Sequence, residues 1–126
     1  MIDALFSQSN YLAAKKMLDA TVLRQEAISS NLSNLETPGY KRLDVAPSFA
    51  TQLKDAVLAG SGADIASARP ELAVDSTAIS QRRDGNTVEL EKELLRMSQT
   101  ALEHSLETQL VTGNLLRLRL AISGRP

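Results

Sequence analysis

From residue 87 to 122 the chain places leucine, isoleucine, valine, methionine or alanine at intervals of three and four, with no proline and Gly113 as the one glycine. That spacing predicts one α-helix over 87–122, about 54 Å long at about 1.5 Å per residue. Asp84-Gly85-Asn86 reads as the turn before it, and Asn86 with Glu89 three positions later resembles a capping box. Glu89, Glu91 and Glu93 at the start, and Arg117 and Arg119 near the end, suit the helix dipole. The apolar positions fill more than one stripe. Leu90, Leu94, Met97, Ala101, Val111, Leu115, Leu118 and Ile122 form a near-heptad seam, while Val88, Leu95, Leu102, Leu106, Leu110, Gly113, Leu116 and Leu120 occupy adjacent faces. A helix in a two-helix hairpin buries one stripe. Cover for the other faces is therefore expected from other subunits, with Gly113 and Ala101 admitting a close neighbour.

A second helix is expected over 9–35, where Tyr11, Ala14, Leu18, Val22, Ile28, Leu32 and Leu35 make a stripe broken at Gln25. Ser7, Ser9 or Asn10 can cap its start. Thr37-Pro38-Gly39 stops it, because proline pre-sets the first centre of a type II turn and glycine tolerates positive φ at the second. Between the helices the pattern weakens. A short helix is predicted from Pro47 at its first position through Phe49, Leu53 and Val57 to a capping Gly60. Gly60-Ser61-Gly62-Ala63 reads as a flexible break, and 71–74 and 78–81 as weak extended candidates. The middle looks too polar for a deep core and is expected to be loosely structured or ordered by a partner. The predicted fold class is mainly α: two long terminal helices, 1–35 and 87–126, pair as a coiled-coil-like layer, with an irregular or extended middle segment over 36–86.

Composition narrows the class. Aromatic residues are only 3% and tryptophan is absent, so the core must be aliphatic, as in packed helices. A net charge of −1 leaves no electrostatic footprint for nucleic acid. With no cysteine, disulfides and thiolate chemistry are excluded. The N-terminus lacks the basic and apolar regions of a signal peptide, and no apolar run reaches membrane-spanning length.

Candidate chemistry is sparse. His104 is the one histidine, and Thr100, Ala101, Glu107 and Thr108 at helical spacing do not complete a metal site. Glu89, Glu91 and Glu93 read as a solvated helix start rather than an acid–base pair. Gly60-Ser61-Gly62 lacks the lysine and hydroxyl of a phosphate loop. The basic pairs Lys41-Arg42 and Arg82-Arg83, without interleaved aromatics, suit polar contacts between subunits better than nucleic acid. No catalytic set, cofactor, metal or small-molecule substrate is expected.

One string is distinctive: Asn31-Leu32-Ser33-Asn34-Leu35-Glu36-Thr37-Pro38-Gly39-Tyr40-Lys41-Arg42. It resembles the N-terminal signature of the bacterial flagellar rod and hook family, with Ser33 standing where alanine is usual. The segment from Asp84 to Glu93, the short chain and a C-terminal helix without aromatics resemble the proximal-rod branch of that family. The resemblance covers about residues 1–45 and 82–122. It implies a non-enzymatic subunit of a hollow shaft that transmits torque and passes exported subunits. It implies paired terminal helices in an inner layer, export to the periplasm without a cleaved signal, and no nucleic-acid partner. The implied partners are further copies, other rod subunits, the protein joining rod to membrane ring, the ring itself and the export apparatus. The signature marks Asn31, Asn34, Thr37, Pro38, Gly39, Tyr40 and Lys41 as assembly residues, and the several apolar faces of the long helix add Leu94, Ala101, Leu106, Gly113 and Leu116. Another rod subunit of the family is an alternative. So is a cytosolic helical export chaperone, which accounts for the amphipathic helices but not for the Thr-Pro-Gly-Tyr turn.

Overall fold

The computed structural model describes residues 9–79 and 82–124. The elements run α1 (Ser9–Ser33), β1 (Leu43–Val45), α2 (Pro47–Ala59), α3 (Gly62–Ser67), β2 (Leu72–Val74) and α4 (Leu90–Ser123). The expected mainly α architecture is present, with long terminal helices packed together and a small middle. The helices are antiparallel: Asn31, late in α1, meets Glu93 at the start of α4, while Thr21 meets Glu107 farther along.

The middle is more ordered than its polarity suggests. Pro47 opens α2, and Gly60 closes it in the left-handed region at φ 66°. The expected break at 60–63 is instead a helix start, because the Ser61 hydroxyl accepts a hydrogen bond from Asp64 N and caps α3. β1 and β2 pair antiparallel, with Leu43 opposite Val74, Asp44 opposite Ala73 and Val45 opposite Leu72. Ala78 and Ile79 form no strand, and the last two positions of that expected segment, like the candidate cap Ser7, lie outside the described residues.

The aliphatic core lies between α1 and this middle layer. Ala20 of α1 packs with Val45, Phe49, Leu53, Ala56, Ile65 and Ala68, with Leu12, Ala13, Leu23 and Val57 around them. The expectation of a middle without a deep core is thereby corrected. α2 brings the predicted Phe49 and Leu53 with Ala56, while β1 and α3 add the single side chains Val45 and Ile65, too few to stand out in sequence, and they converge on α1 around Ala20.

The side of α1 that meets α4 differs. The face α4 turns inward is mostly polar: Glu93, Thr100 and Glu107, seven residues apart, are buried, followed by Leu118. Of the expected apolar seam, Leu118 is buried and Val111 half-buried, whereas Leu90, Leu94, Met97, Leu115 and Ile122 are exposed. On α1, Val22 is likewise exposed although the stripe placed it inside. Tyr11, Ala14 and Ile28 of the stripe are buried, and Ala20, Thr21, Ala27 and Asn31 are buried with them, small or hydrogen-bonded groups that suit a helix held between two layers.

Candidate functional site

The signature string folds into a buried polar knot where the end of α1, β1 and the start of α4 meet. Asn31 is fully buried and uses its whole amide. Its Nδ2 donates to Leu43 O at 2.9 Å and to Glu93 Oε2 at 3.2 Å, while its Oδ1 accepts from Leu43 N at 2.8 Å and from the Tyr40 hydroxyl at 3.2 Å. The amide thus acts as a strand partner for Leu43 and ties helix to sheet. Tyr40 also shares a hydrogen bond with the Ser30 hydroxyl.

Arg42 forms the centre. Its Nε donates to Glu93 Oε1 at 2.5 Å, and its Nη1 to Asp75 Oδ2 at 2.6 Å and Asp44 Oδ2 at 3.1 Å. Glu93, wholly buried, also accepts from Arg96 Nη1 at 3.0 Å, and Arg24 reaches Asp44 from α1. Burial pushes the Arg42 pKa down, but the hydrogen bond and charge of Glu93, with Asp44 and Asp75, outweigh it and hold the guanidinium above its ordinary value. Burial likewise pushes the Asp44 carboxyl up, whereas the Val45 N–H, Arg42 and Arg24 hold it below the ordinary range. At Asp75, burial is outweighed by the Thr77 hydroxyl and N–H together with Arg42, so this carboxyl is lowered too. Two carboxylates with depressed pKa contribute stability above the ordinary aspartate range and lose it as pH falls through their folded values.

The turn sits on top. Gly39 has φ 72° and Gly85 φ 79°, the left-handed region in which glycine is unstrained. Tyr40 N donates to Thr37 O across the first turn, and Gly39 N donates to Asp84 O at 2.8 Å, so the two turns lie back to back. Asn86 is buried and staples them: its Nδ2 reaches the carbonyls of Asn34, Leu35 and Thr37, and its Oδ1 accepts from Val88 N. Asn34 holds the last turn of α1 through Ser30 O and accepts from the Thr37 hydroxyl. Lys41 Nζ donates to Gly85 O, and Arg82 Nη1 to Leu35 O.

Several sequence-based expectations are revised here. Asn86 is no helix cap, since Glu89 occupies that position without a side-chain cap bond and α4 begins at Leu90; the Asn86 amide serves the α1 end instead. Glu93 is not solvated, and Arg42 is not a surface cation awaiting a neighbour. Both changes have one cause: each charge lies on a face that closes against the other, and pairing makes burial tolerable. Glu93 stands seven positions before Thr100 and fourteen before Glu107, a polar heptad row that was present in the sequence but masked by the surrounding leucines. The structure brings Asn31, Asn34, Thr37, Tyr40 and Lys41 together, with Pro38 and Gly39 exposed on the turn. Leu94, Ala101, Leu106 and Leu116 are exposed along α4, and among the described residues nothing lies within 4 Å of where a Gly113 Cβ would stand.

A second polar contact lies midway along the helices. Thr21 Oγ1 is 2.9 Å from Leu18 O, 3.0 Å from Glu107 Oε2 and 3.4 Å from His104 Nδ1. One hydroxyl proton cannot serve both oxygen acceptors at once, so Leu18 O and the Glu107 carboxyl share the Thr21 donor. Burial pushes the Glu107 carboxyl up, with Glu103 adding to the rise and Thr21, His104 and Arg24 opposing it. A raised carboxyl costs stability as pH rises through its folded value. Glu107→Gln, which supplies an N–H donor, is expected to stabilise the chain at neutral pH by about 0.5–1.5 kcal/mol and by little at pH near 4, read by urea unfolding at both pH values. Among the described residues no group of three or more His, Asp or Glu side chains is arranged to hold a metal, and no helix is long and apolar enough to cross a membrane.

Comparison with known proteins falls on the same segment. The family model described as flagella basal body rod protein matches residues 18–41, from mid-α1 through the turn. The flagellar basal body rod protein FlgB of Borrelia hermsii is 25% identical over 127 residues, covering 86% of this chain and 92% of the relative. FlgB of Escherichia coli (strain K12) is 26% identical, covering 80% and 83%, and FlgB of Salmonella typhimurium (strain LT2) is 25% identical, covering 87% and 90%. The family match falls on the helix end and turn that build the knot, and the relatives align along most of both chains, so the chain is similar to flagellar basal-body rod proteins in its signature segment and along most of its length.

Proposed function

We propose that this chain is a structural subunit of the proximal part of the flagellar rod, stacked helically into a hollow shaft that transmits torque and passes exported subunits. It is not an enzyme. The observation that carries the reading is the inverted helix pair: α4 spends its polar row on α1 and leaves Leu95, Leu102, Leu106, Leu116 and Leu120 in solvent. Exposed leucines along one long helix mark an interaction surface.

In this reading α1 and α4 form the inner layer, and residues 36–86 form the outer one. The turn residues Pro38, Gly39 and Lys41 contact the next subunit, while Asn31, Asn34, Thr37 and Tyr40 hold that turn in place. Leu94, Ala101, Leu106, Gly113 and Leu116 are covered by neighbouring rod chains. The protein joining the rod to the membrane ring, the ring and the export apparatus are the other partners. The site of action is the periplasm, reached through the flagellar export route without signal cleavage.

Hydrogen exchange tests this directly. Amides across 90–123 are expected to exchange at least about tenfold more slowly in isolated basal bodies than in the dilute monomer, a difference of about 1.4 kcal/mol or more. Equal protection in the two states, or absence of the chain from purified basal bodies, overturns the reading.

A further inference from the structure

We infer that the start of α4 and Arg42 form a carboxylate-binding site. A cavity of about 270 Å³ opens beside the knot, lined by Arg42, Lys92 and Arg96 among others. Arg42 and Lys92 stand in its wall, and the start of α4 adjoins it through Glu89 and Lys92. The Arg42 side chain is 2% exposed, and its Nη2 is buried with no hydrogen-bond partner among the described residues, although Nε and Nη1 of the same guanidinium are engaged. Lys92 stands at the rim, paired among the described residues with Glu89 Oε1 at 2.8 Å on the exposed surface. The first turn of α4 has no side-chain cap, so its leading N–H groups present the positive end of a 34-residue helix.

The wall also carries carboxylates, and their engagement decides what the cavity accepts. Asp75 takes Arg42 and the Thr77 hydroxyl, and Glu89 takes Lys92. The Thr87 hydroxyl oxygen accepts from Arg42 N. Each wall carboxylate thus already holds a cation, while one guanidinium donor, Nη2, has no partner among the described residues. Three cations line the cavity against the two carboxylates of Asp75 and Glu89. An acceptor-only anion of planar shape completes that arrangement, and a carboxylate matches the guanidinium edge. Its source is an Asp or Glu side chain of the neighbouring rod subunit, a part of the inference that rests on the proposed function. Binding of a free carboxylate does not.

The experiment has two arms. In the first, sodium acetate is titrated into the full-length monomer at constant ionic strength, with sodium chloride as control, and ¹⁵N shifts of the Arg42 side chain and of amides 90–92 are followed. A saturable shift with acetate alone, weakened about tenfold or more in Lys92→Glu, is expected. No saturable shift, or the same shift with chloride, means the cavity holds water and overturns the site. In the second, rods are isolated from cells carrying Lys92→Glu or Lys92→Arg, with circular dichroism verifying that both variants fold. Loss of incorporation with glutamate and retention with arginine are expected. Acetate binding together with normal incorporation of Lys92→Glu overturns the neighbouring-subunit source. Absence of the wild-type chain from rods instead removes the proposed function and leaves the acetate result standing.

Discussion

A chain carrying Leu106→Asp is expected to fold as the wild type does and to be missing from assembled rods. Leu106 is 60% exposed on the side of α4 turned away from α1, so the isolated chain has little to lose there. Its unfolding midpoint in urea should stay within about 0.5 kcal/mol of wild type, as for surface substitutions generally. In the rod the same position is covered by a neighbour in the reading above. The aspartate then loses the leucine burial and places a carboxylate without a partner in a dry interface, at several kcal/mol per contact. A cost of about 4 kcal/mol weakens association about a thousandfold. Leu106→Met, nearly equal in volume and fully apolar, should assemble. Quantifying the chain in purified basal bodies, beside its level in whole cells, measures the effect. Normal incorporation of Leu106→Asp would remove α4 from the interface.

The opposite pattern is expected at Glu93, where the damage lies in the monomer. Glu93 is wholly buried and accepts from Arg42, Asn31 and Arg96. In Glu93→Ala all three donors lose their acceptor, and Arg42 keeps only Asp44 and Asp75. Removing one partner of a buried pair costs about 3–5 kcal/mol, a large fraction of the stability of a domain this size. Urea unfolding of the purified chain should show that loss, while exposed Glu91→Ala serves as the near-neutral control. The double variant Arg42→Met, Glu93→Leu should recover only part of it, since it removes the buried Arg42–Glu93 pair but leaves Asp75 without its cation and Asn31 Nδ2 without Glu93. If Glu93→Ala unfolded at the wild-type urea concentration, the knot would not be what joins the α1 end to α4.

The sequence by itself determined the elements whose signals are local. Pro47 and Gly60 bound α2 because a fixed φ suits a helix start and a left-handed residue its end. Thr37-Pro38-Gly39-Tyr40 turns where it does because only a residue without Cβ takes φ 72° freely. The two long helices followed from uninterrupted three-and-four spacing, and the signature string pointed to the family before any fold was known. The tertiary structure alone decided which face of α4 meets α1. Periodicity counts apolar positions and assigns the richest stripe to the interior, so the row Glu93, Thr100, Glu107 appeared as surface. Its partners lie 62 to 86 residues away, as Asn31 does from Glu93 and Thr21 from Glu107, and no local pattern carries that information. Asn86 was misread for the same reason: its acceptors at Asn34, Leu35 and Thr37 become neighbours only once the helices close. A buried polar group is tolerable only with its partner in place, and that partner is fixed by the fold rather than by the spacing of its own helix.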